Sequence, residues 1–382
     1  MIESSTASRL RSIGLSNALL QQLHAWAPAG AKNDPQRVTE VQREGVTLHD
    51  GLAERGARVL PGLRQQLADQ SDALAVGDWV WADCNAHGEW WVHTRLPPSS
   101  QLARRLHDGR DKVTRTVIVS NVDTALLVMG LDGDFHLRRI ERYLALVQMA
   151  GVRPVVVLTK ADLCADPSSR LREVQALLPA GAAAVTLNAL GDEPRQVLAE
   201  WLTEGQTLVL LGSSGAGKST LTNALTGALT GAMTGALTGD RHQLTGGNRA
   251  GDGRGRHTTT ARSLHVVPGG ACIIDTPGLR TLRLDGDADA LSAVFDDITQ
   301  LALQCRFRDC GHVDEPGCAV RTGVAAERLK SYQKLLREAR RDTRTAFERK
   351  VQVSAWKARG RQAAERMAYK RGDEPPDRPG RG

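Results

Sequence analysis

The sequence predicts a multidomain chain: an N-terminal β-barrel, a central α/β P-loop domain and a mostly helical C-terminal domain that holds a metal. Three observations predict it. Five short β-like runs between Arg37 and Leu96 are separated by Gly, Asp and Asn, the pattern of a small barrel. From Val117 to Asp275 apolar strand candidates alternate with helical patterns, and one of them runs into GSSGAGKST at Gly212. Beyond residue 285, three cysteines crowd into the fourteen residues from Cys305 to Cys318, with His312 among them. A chain of 382 residues exceeds what one hydrophobic core serves, so two or three domains are expected.

Residues 8 to 29 read as helical. The barrel candidates are RVTEVQ, GVTLHD, ARVLPG, DWVWADC and EWWVHTRL, and they carry Trp79, Trp81, Trp90 and Trp91. Exposed on a nucleic-acid-binding barrel, such rings would stack on bases; for each singly, a place in the barrel core or edge is the preferred reading. Six further strands follow at 125–129, 155–158, 183–187, 208–211, 264–267 and 272–275. HLRRIERYLALVQMAG, 136 to 151, is helical between the first two. This alternation argues for a mostly parallel sheet covered on both faces. Residues 224 to 239 repeat ALTG with one Met, and 228–239 read as a duplicated, neutral insertion in a surface loop. Such lengthening costs only about 0.6 kcal/mol per doubling. The division expected is a helical extension over 1–35, the barrel over 36–105, the P-loop domain over 106–284, the metal-binding domain over 285–372 and a disordered tail over 373–382.

Composition narrows the class. No run of eighteen apolar residues occurs, and the N-terminus has no secretory pattern, so a cytoplasmic protein without a membrane segment is expected. The net charge of +7 is uneven: residues 321–382 hold 18 Lys and Arg against 8 Asp and Glu, leaving −3 for the other 320. A basic arm of this kind suits a polyanionic partner, and a merely solubilising helix suits it equally. Six scattered and clustered cysteines fit a metal site in a reducing compartment better than a disulfide framework.

The chemistry starts at Gly212-Ser213-Ser214-Gly215-Ala216-Gly217-Lys218-Ser219-Thr220. It follows the strand LVLL and precedes the helix-like STLTNAL, the context a phosphate-binding loop needs. Its glycines let backbone N–H groups turn toward phosphate oxygens at a helix N-terminus. Lys218 would bridge the β- and γ-phosphates and Ser219 would ligate Mg²⁺. Downstream, Asp275 and Gly278 of CIIDTPG suit a Mg²⁺-linked carboxylate and a γ-phosphate-sensing amide. Between them a glycine-rich stretch ends in His257-Thr258-Thr259-Thr260; Thr258 or Thr259 suits closure over Mg²⁺, with Thr259 preferred.

Upstream of all this, VVVLTKADL places Thr159-Lys160-Ala161-Asp162 at a strand end. A carboxylate there can accept both N1–H and N2–H of guanine, a donor pair adenine lacks, so Asp162 would discriminate strongly. The Lys160 stem would pack along the base. Thr159 occupies the place usually held by Asn, and a hydroxyl replaces only part of an amide's bonding. The loop expected to back the base, at Thr186 to Ala189, matches poorly. The order of base reader, phosphate loop, threonine loop and DTPG is rotated, which a sheet tolerates when its old termini lie close together.

Cys305-x₄-Cys310-x-His312-x₅-Cys318 offers three thiolates and an imidazole, a closed tetrahedral and therefore structural Zn²⁺ set. Cys84, Cys164 and Cys272 are expected in the core.

With TKAD, GSSGAGKST, HTTT, DTPG and CRFRDCGHVDEPGC in this order, nearly the whole chain resembles the circularly permuted, ribosome small-subunit-dependent GTPases of the RsgA (YjeQ) family. The resemblance implies an OB-fold barrel, one structural zinc per chain, and Mg²⁺ with GTP. It also implies GTP hydrolysis stimulated by the small ribosomal subunit and its rRNA during late assembly; a monomer is expected. Leu279 follows DTPG where many GTPases place a water-positioning Gln, so slow basal turnover is expected, with His257 the internal candidate for that task. Nucleotide state would then control docking and release. Two rival classes are an ATP-dependent enzyme, opposed by Asp162, and an RNA-binding assembly scaffold with a vestigial nucleotide site, opposed by Lys218, Ser219 and Asp275 together.

Overall fold

The computed structural model describes residues 4–26, 33–107, 113–227, 262–276 and 291–342. Two helices, α1 (Ser4–Arg11) and α2 (Asn17–Trp26), begin the chain. They are not the single helix the sequence suggests, because Gly14 turns the backbone with φ +88°. A Cβ there would strike the Arg37 guanidinium and the Thr207 hydroxyl, so only glycine lets this turn close on the domain beneath it.

The barrel has five strands: β1 (Gln36–Val41), β2 (Val46–His49), β3 (Glu54–Val59), β4 (Trp79–Cys84) and β5 (Trp90–Arg95). They pair in the order β1-β2-β3-β5-β4, and β4 returns to β1 through Gln36↔Val80 and Arg37↔Trp79, closing the ring. One helix, α3 (Pro61–Asp69), had no counterpart in the strand pattern; Leu63 and Leu67 plug the barrel core beside Val38, Leu48, Val80 and Val92. Trp79 and Trp81 are buried under α1 and α2 with Leu10, Leu19 and Leu23. Trp90 and Trp91 are half-buried, with the guanidinium groups of Arg55 and Arg58 at 4.6 and 5.6 Å from their rings.

A hairpin of β6 (Gln101–His107) and β7 (Val113–Ser120) follows, also unanticipated, and the expected boundary at 105/106 falls within it. The nucleotide sheet then runs β10-β9-β8-β11-β13-β12. Its strands are β8 (Thr124–Gly130), β9 (Arg153–Thr159), β10 (Ala183–Thr186), β11 (Thr207–Gly212), β12 (Ser263–Val266) and β13 (Cys272–Asp275). All pairings are parallel except that of β12 with β13. Each of the six strand candidates lies on one of these elements. The central strands are apolar on both sides because both are covered. Leu127, Met129, Val209 and Ile274 face one core, which includes α4 (Leu137–Met149) and Val174 of α5 (Pro167–Gln175); Leu126, Val128, Leu208 and Ile273 face the other, which includes Val197 of α6 (Glu193–Val197) and α7 (Lys218–Thr226).

Two joints tie the flanking parts to this sheet. At one edge β12 pairs with β1 of the barrel, Glu40 opposite Ser263. The fully buried Arg37 fills the angle, donating to Ile13 O (2.5 Å) and Asn121 O (3.2 Å). On the other side lie α8 (Leu291–Val294), α9 (Asp296–Ala302), α10 (Ala319–Gly323) and α11 (Ala326–Asp342), whose Phe295, Leu329 and Leu335 share a core with Ile140 and Leu144 of α4. Of the remaining cysteines, Cys272 is buried as expected and Cys164 half-buried. Cys84 is exposed, contrary to expectation, because it ends β4 at the Asn85–Gly88 turn, where the strand leaves the core. Residues 228–239 of the ALTG repeat, the threonine loop with His257, Thr258 and Thr259, Gly278 and the basic tail beyond Asp342 lie outside the described residues.

Candidate nucleotide and metal sites

Parallel register brings the two separated loops together. Gly130 of β8 is opposite Thr159 of β9, and Val128 is opposite Gly212 of β11, so the loops after all three strands leave one edge of the sheet. The phosphate loop turns at Gly215 (φ +82°) and Gly217 (φ +93°), the latter preceding the first residue of α7. Lys218 is buried, its ammonium donating to Gly212 O (2.9 Å) and Ser213 O (2.7 Å). The lysine therefore lies along the inside of its own loop, the side on which phosphate would replace these carbonyls.

The base-reading loop touches the phosphate loop directly. The buried Thr159 hydroxyl donates to Ala216 O at 2.6 Å. Lys160 holds a left-handed φ of +58°, unusual for a side-chain-bearing residue, and turns the chain into the 3₁₀ turn Ala161–Leu163. Asp162, on that turn, is exposed. Leu187 N, just past β10, donates to Leu158 O (3.0 Å), which sets the poorly matched 186–189 loop beside the base reader.

Sequence reasoning missed the loop after β8. Asp132 forms an ion pair with Lys160 (2.5 Å), and the attraction of that ammonium helps hold its carboxyl below the usual range although partial burial opposes this. Asp134 accepts from the Ser213 hydroxyl and pairs with Arg139 of α4 (2.5 Å). The available signal was two carboxylates in LDGDF at a strand end.

At the end of β13, Asp275 lies opposite Leu210, on the strand that leads into the phosphate loop. It is buried, and among the described residues its Oδ1 has no hydrogen-bond partner. A buried carboxylate oxygen without a partner is costly, and a cation with its water shell would satisfy it. Ser219 opens α7 half-buried, so the donor set fits Mg²⁺.

The four predicted metal ligands converge. The ligand atoms of Cys305, Cys310, His312 and Cys318 lie within 4.8 Å of one another. Cys305 and Cys318 sulfurs are 3.9 Å apart, and His312 Nδ1 is 3.7 and 3.4 Å from them. A tetrahedron with Zn–S of about 2.3 Å has S···S edges of roughly 3.8 Å, so the spacing fits zinc. His312 has φ +56°, and Gln333 of α11 donates to its carbonyl (2.9 Å). Glu315 accepts from the N–H groups of Gly311 (2.9 Å) and Val313 (2.8 Å); backbone donors, its own included, hold its carboxyl down at about 2. Cys318 caps α10 and belongs to the core shared with α4, so the cluster and the helical packing are one unit.

Comparisons with known proteins agree with this geometry. A family model described as RsgA GTPase matches residues 96–285. The small ribosomal subunit biogenesis GTPase RsgA of Xylella fastidiosa (strain 9a5c) is 43% identical over 308 residues, 79% of this chain and 84% of that one. The protein of the same name from Mesorhizobium japonicum is 40% identical over 352 residues, 90% and 94% of the two chains. Among solved structures, YjeQ from Thermotoga maritima superposes with a TM-score of 0.56 at 23% identity, over 81% of this chain and 99% of that one. YloQ, a circularly permuted GTPase, superposes with a TM-score of 0.51 at 21% identity, over 84% and 100%. The two structural likenesses concern the fold.

Proposed function

The chain belongs to the RsgA GTPase family, and from that premise we propose that it binds GTP in the cleft between the 159–162 and 212–220 loops, hydrolyses it to GDP and phosphate, and does so on the small ribosomal subunit during its late maturation. The observation that carries this reading is the 2.6 Å bond from Thr159 to Ala216 O, which joins base reader and phosphate loop across 57 residues of chain. Asp162 accepts from guanine N1–H and N2–H. Backbone N–H groups of Gly212 to Thr220 cradle the phosphates, and Lys218 exchanges its two carbonyl partners for phosphate oxygens. Ser219 and Asp275, with Thr259, would hold Mg²⁺, which when bound neutralises charge on the β- and γ-phosphates. His257 orients the attacking water and Gly278 reports the γ-phosphate.

Cys305, Cys310, His312 and Cys318 hold one structural zinc with no open position. Fold and charge support rRNA as the partner surface: the barrel displays Arg55 on Trp90 and Arg58 on Trp91, and the basic residues concentrate after Arg321. Nucleotide state controls docking and release, the protein acts as a monomer in the cytoplasm, and the five-part division at 35, 105, 284 and 372 goes with this reading. Among the described residues no helix is long and apolar enough to cross a membrane.

The test is GTP turnover with and without purified small ribosomal subunits. Turnover rises with subunits and drops at least 100-fold in Lys218→Ala, a loss typical of removing one electrostatic contact to the reacting group. Subunit binding without any turnover would instead favour the assembly scaffold.

A further inference from the structure

Thr159 stands where a loop of this kind usually carries Asn, and its hydroxyl is already engaged. It is fully buried and donates to Ala216 O at 2.6 Å, while the next carbonyl, Met129 O, is farther at 3.4 Å. A hydroxyl has one proton to give; an Asn amide has two. On the edge remote from N1 and N2, guanine presents N7, an acceptor that only a donor can read. The phosphate loop also approaches Thr159 closely, since a Cβ at Gly217 would lie 3.3 Å from its Oγ1. The hydroxyl is therefore spent on the protein's own backbone.

We propose that Thr159 is a positioning residue that latches the base-reading loop to the phosphate loop and leaves guanine N7 unread, so that base selectivity rests on Asp162 at the opposite edge. The proposal rests on the guanine-nucleotide reading above and is separable from it. A latch strengthens binding of every nucleotide that needs both loops in place, whatever the base offers at position 7. A base reader would strengthen binding only of nucleotides that carry N7.

The full-length chain is titrated calorimetrically with GDP, 7-deaza-GDP and inosine diphosphate, for the natural sequence, Thr159→Val and Thr159→Ser. The natural chain is expected to bind GDP and 7-deaza-GDP within threefold of each other and inosine diphosphate at least tenfold more weakly. Thr159→Val leaves Ala216 O without its donor and weakens GDP and 7-deaza-GDP alike, by about tenfold. Thr159→Ser, which keeps the hydroxyl, recovers most of that loss. A deficit of more than threefold for 7-deaza-GDP in the natural chain overturns the proposal, as does Thr159→Val binding GDP within threefold of the natural chain. If Thr159→Val fails to fold, as judged by its melting without nucleotide, the 7-deaza ratio and Thr159→Ser decide. Equal binding of inosine diphosphate and GDP would sink the role given to Asp162, a separate outcome.

Discussion

The barrel meets the nucleotide sheet through its main chain, whereas the C-terminal module meets it through side chains. At the first joint β1 and β12 share a sheet, Ser120 N donates to Val76 O (3.0 Å), Asn121 Nδ2 donates to Gly77 O (3.0 Å), and Arg37 fills the space between. At the second, Phe295 stacks edge-on against Tyr332 (5.3 Å) beneath α4, and ion pairs line the rim. Arg142 grips Glu338 at 2.9 and 2.5 Å, and Arg328 bridges Glu141 and Asp297, both at 2.7 Å. A strand pairing has one register, and a slip would reverse every side chain. A helix face packed by side chains can shift in small steps. The mobile half of the molecule is therefore expected at α4, which begins directly after the Asp132–Asp134 loop that touches Lys160 and Ser213.

Removing the zinc proposed for the Cys305, Cys310, His312 and Cys318 cluster should separate the two joints most. Structural zinc contributes on the order of 10 kcal/mol in small zinc-binding peptides. Cys318→Ser, or chelation, is expected to make residues 291–342 sensitive to protease while the rest still binds GDP. Intact protection of that segment would show that α4 packing alone holds it. Next in size is Arg37→Ala, expected to cost about 3–5 kcal/mol in urea unfolding because it removes the guanidinium buried at the joint, with its bonds to Ile13 O and Asn121 O and its attraction for Asp123 and Asp78. A cost below 1 kcal/mol would mean that the strand pairing suffices.

A smaller effect depends on pH. Burial pushes the Asp78 carboxyl up to about 6, against the opposing pull of Arg95. The folded state therefore holds this proton more tightly than the unfolded chain, so the contribution is present below about pH 4 and is lost as pH rises through 6. The two-unit gap corresponds to roughly 3 kcal/mol at most. Asp78→Asn should flatten the stability profile between pH 4 and 6.5, and an unchanged slope there would remove Asp78 from the account. Smallest is Arg142→Gln: this ion pair at the rim, its side chains 24% and 21% exposed, contributes about 1 kcal/mol, and a melting shift beyond 5 °C would show the rim to matter more than the apolar face.

Much of this was legible in sequence because the signals are local. A strand followed by G-x₄-G-K-S, a carboxylate three residues beyond a strand, and four soft ligands within fourteen residues each state their chemistry without tertiary information. What was not legible is long-range or too short to show a period. The nine residues of α3 lie among strands, and the β6–β7 hairpin reads as a continuation of the barrel pattern. Asp132 and Asp134 acquire meaning only when β8 and β9 lie side by side. The break at Gly14 did not show in the helical reading of residues 8 to 29 because the residue it closes against, Arg37, belongs to the barrel.

The burial of Arg37 has a consequence for how the chain is made. Its first acceptor, Ile13 O, precedes it, but Asn121 and Asp123 follow by more than eighty residues and Cys272 by more than two hundred. A ribosome releases them in that order. The guanidinium must stay in water, and the socket open, until the strand carrying Cys272 has emerged, so a residue made well before its partners is among the last to be sealed.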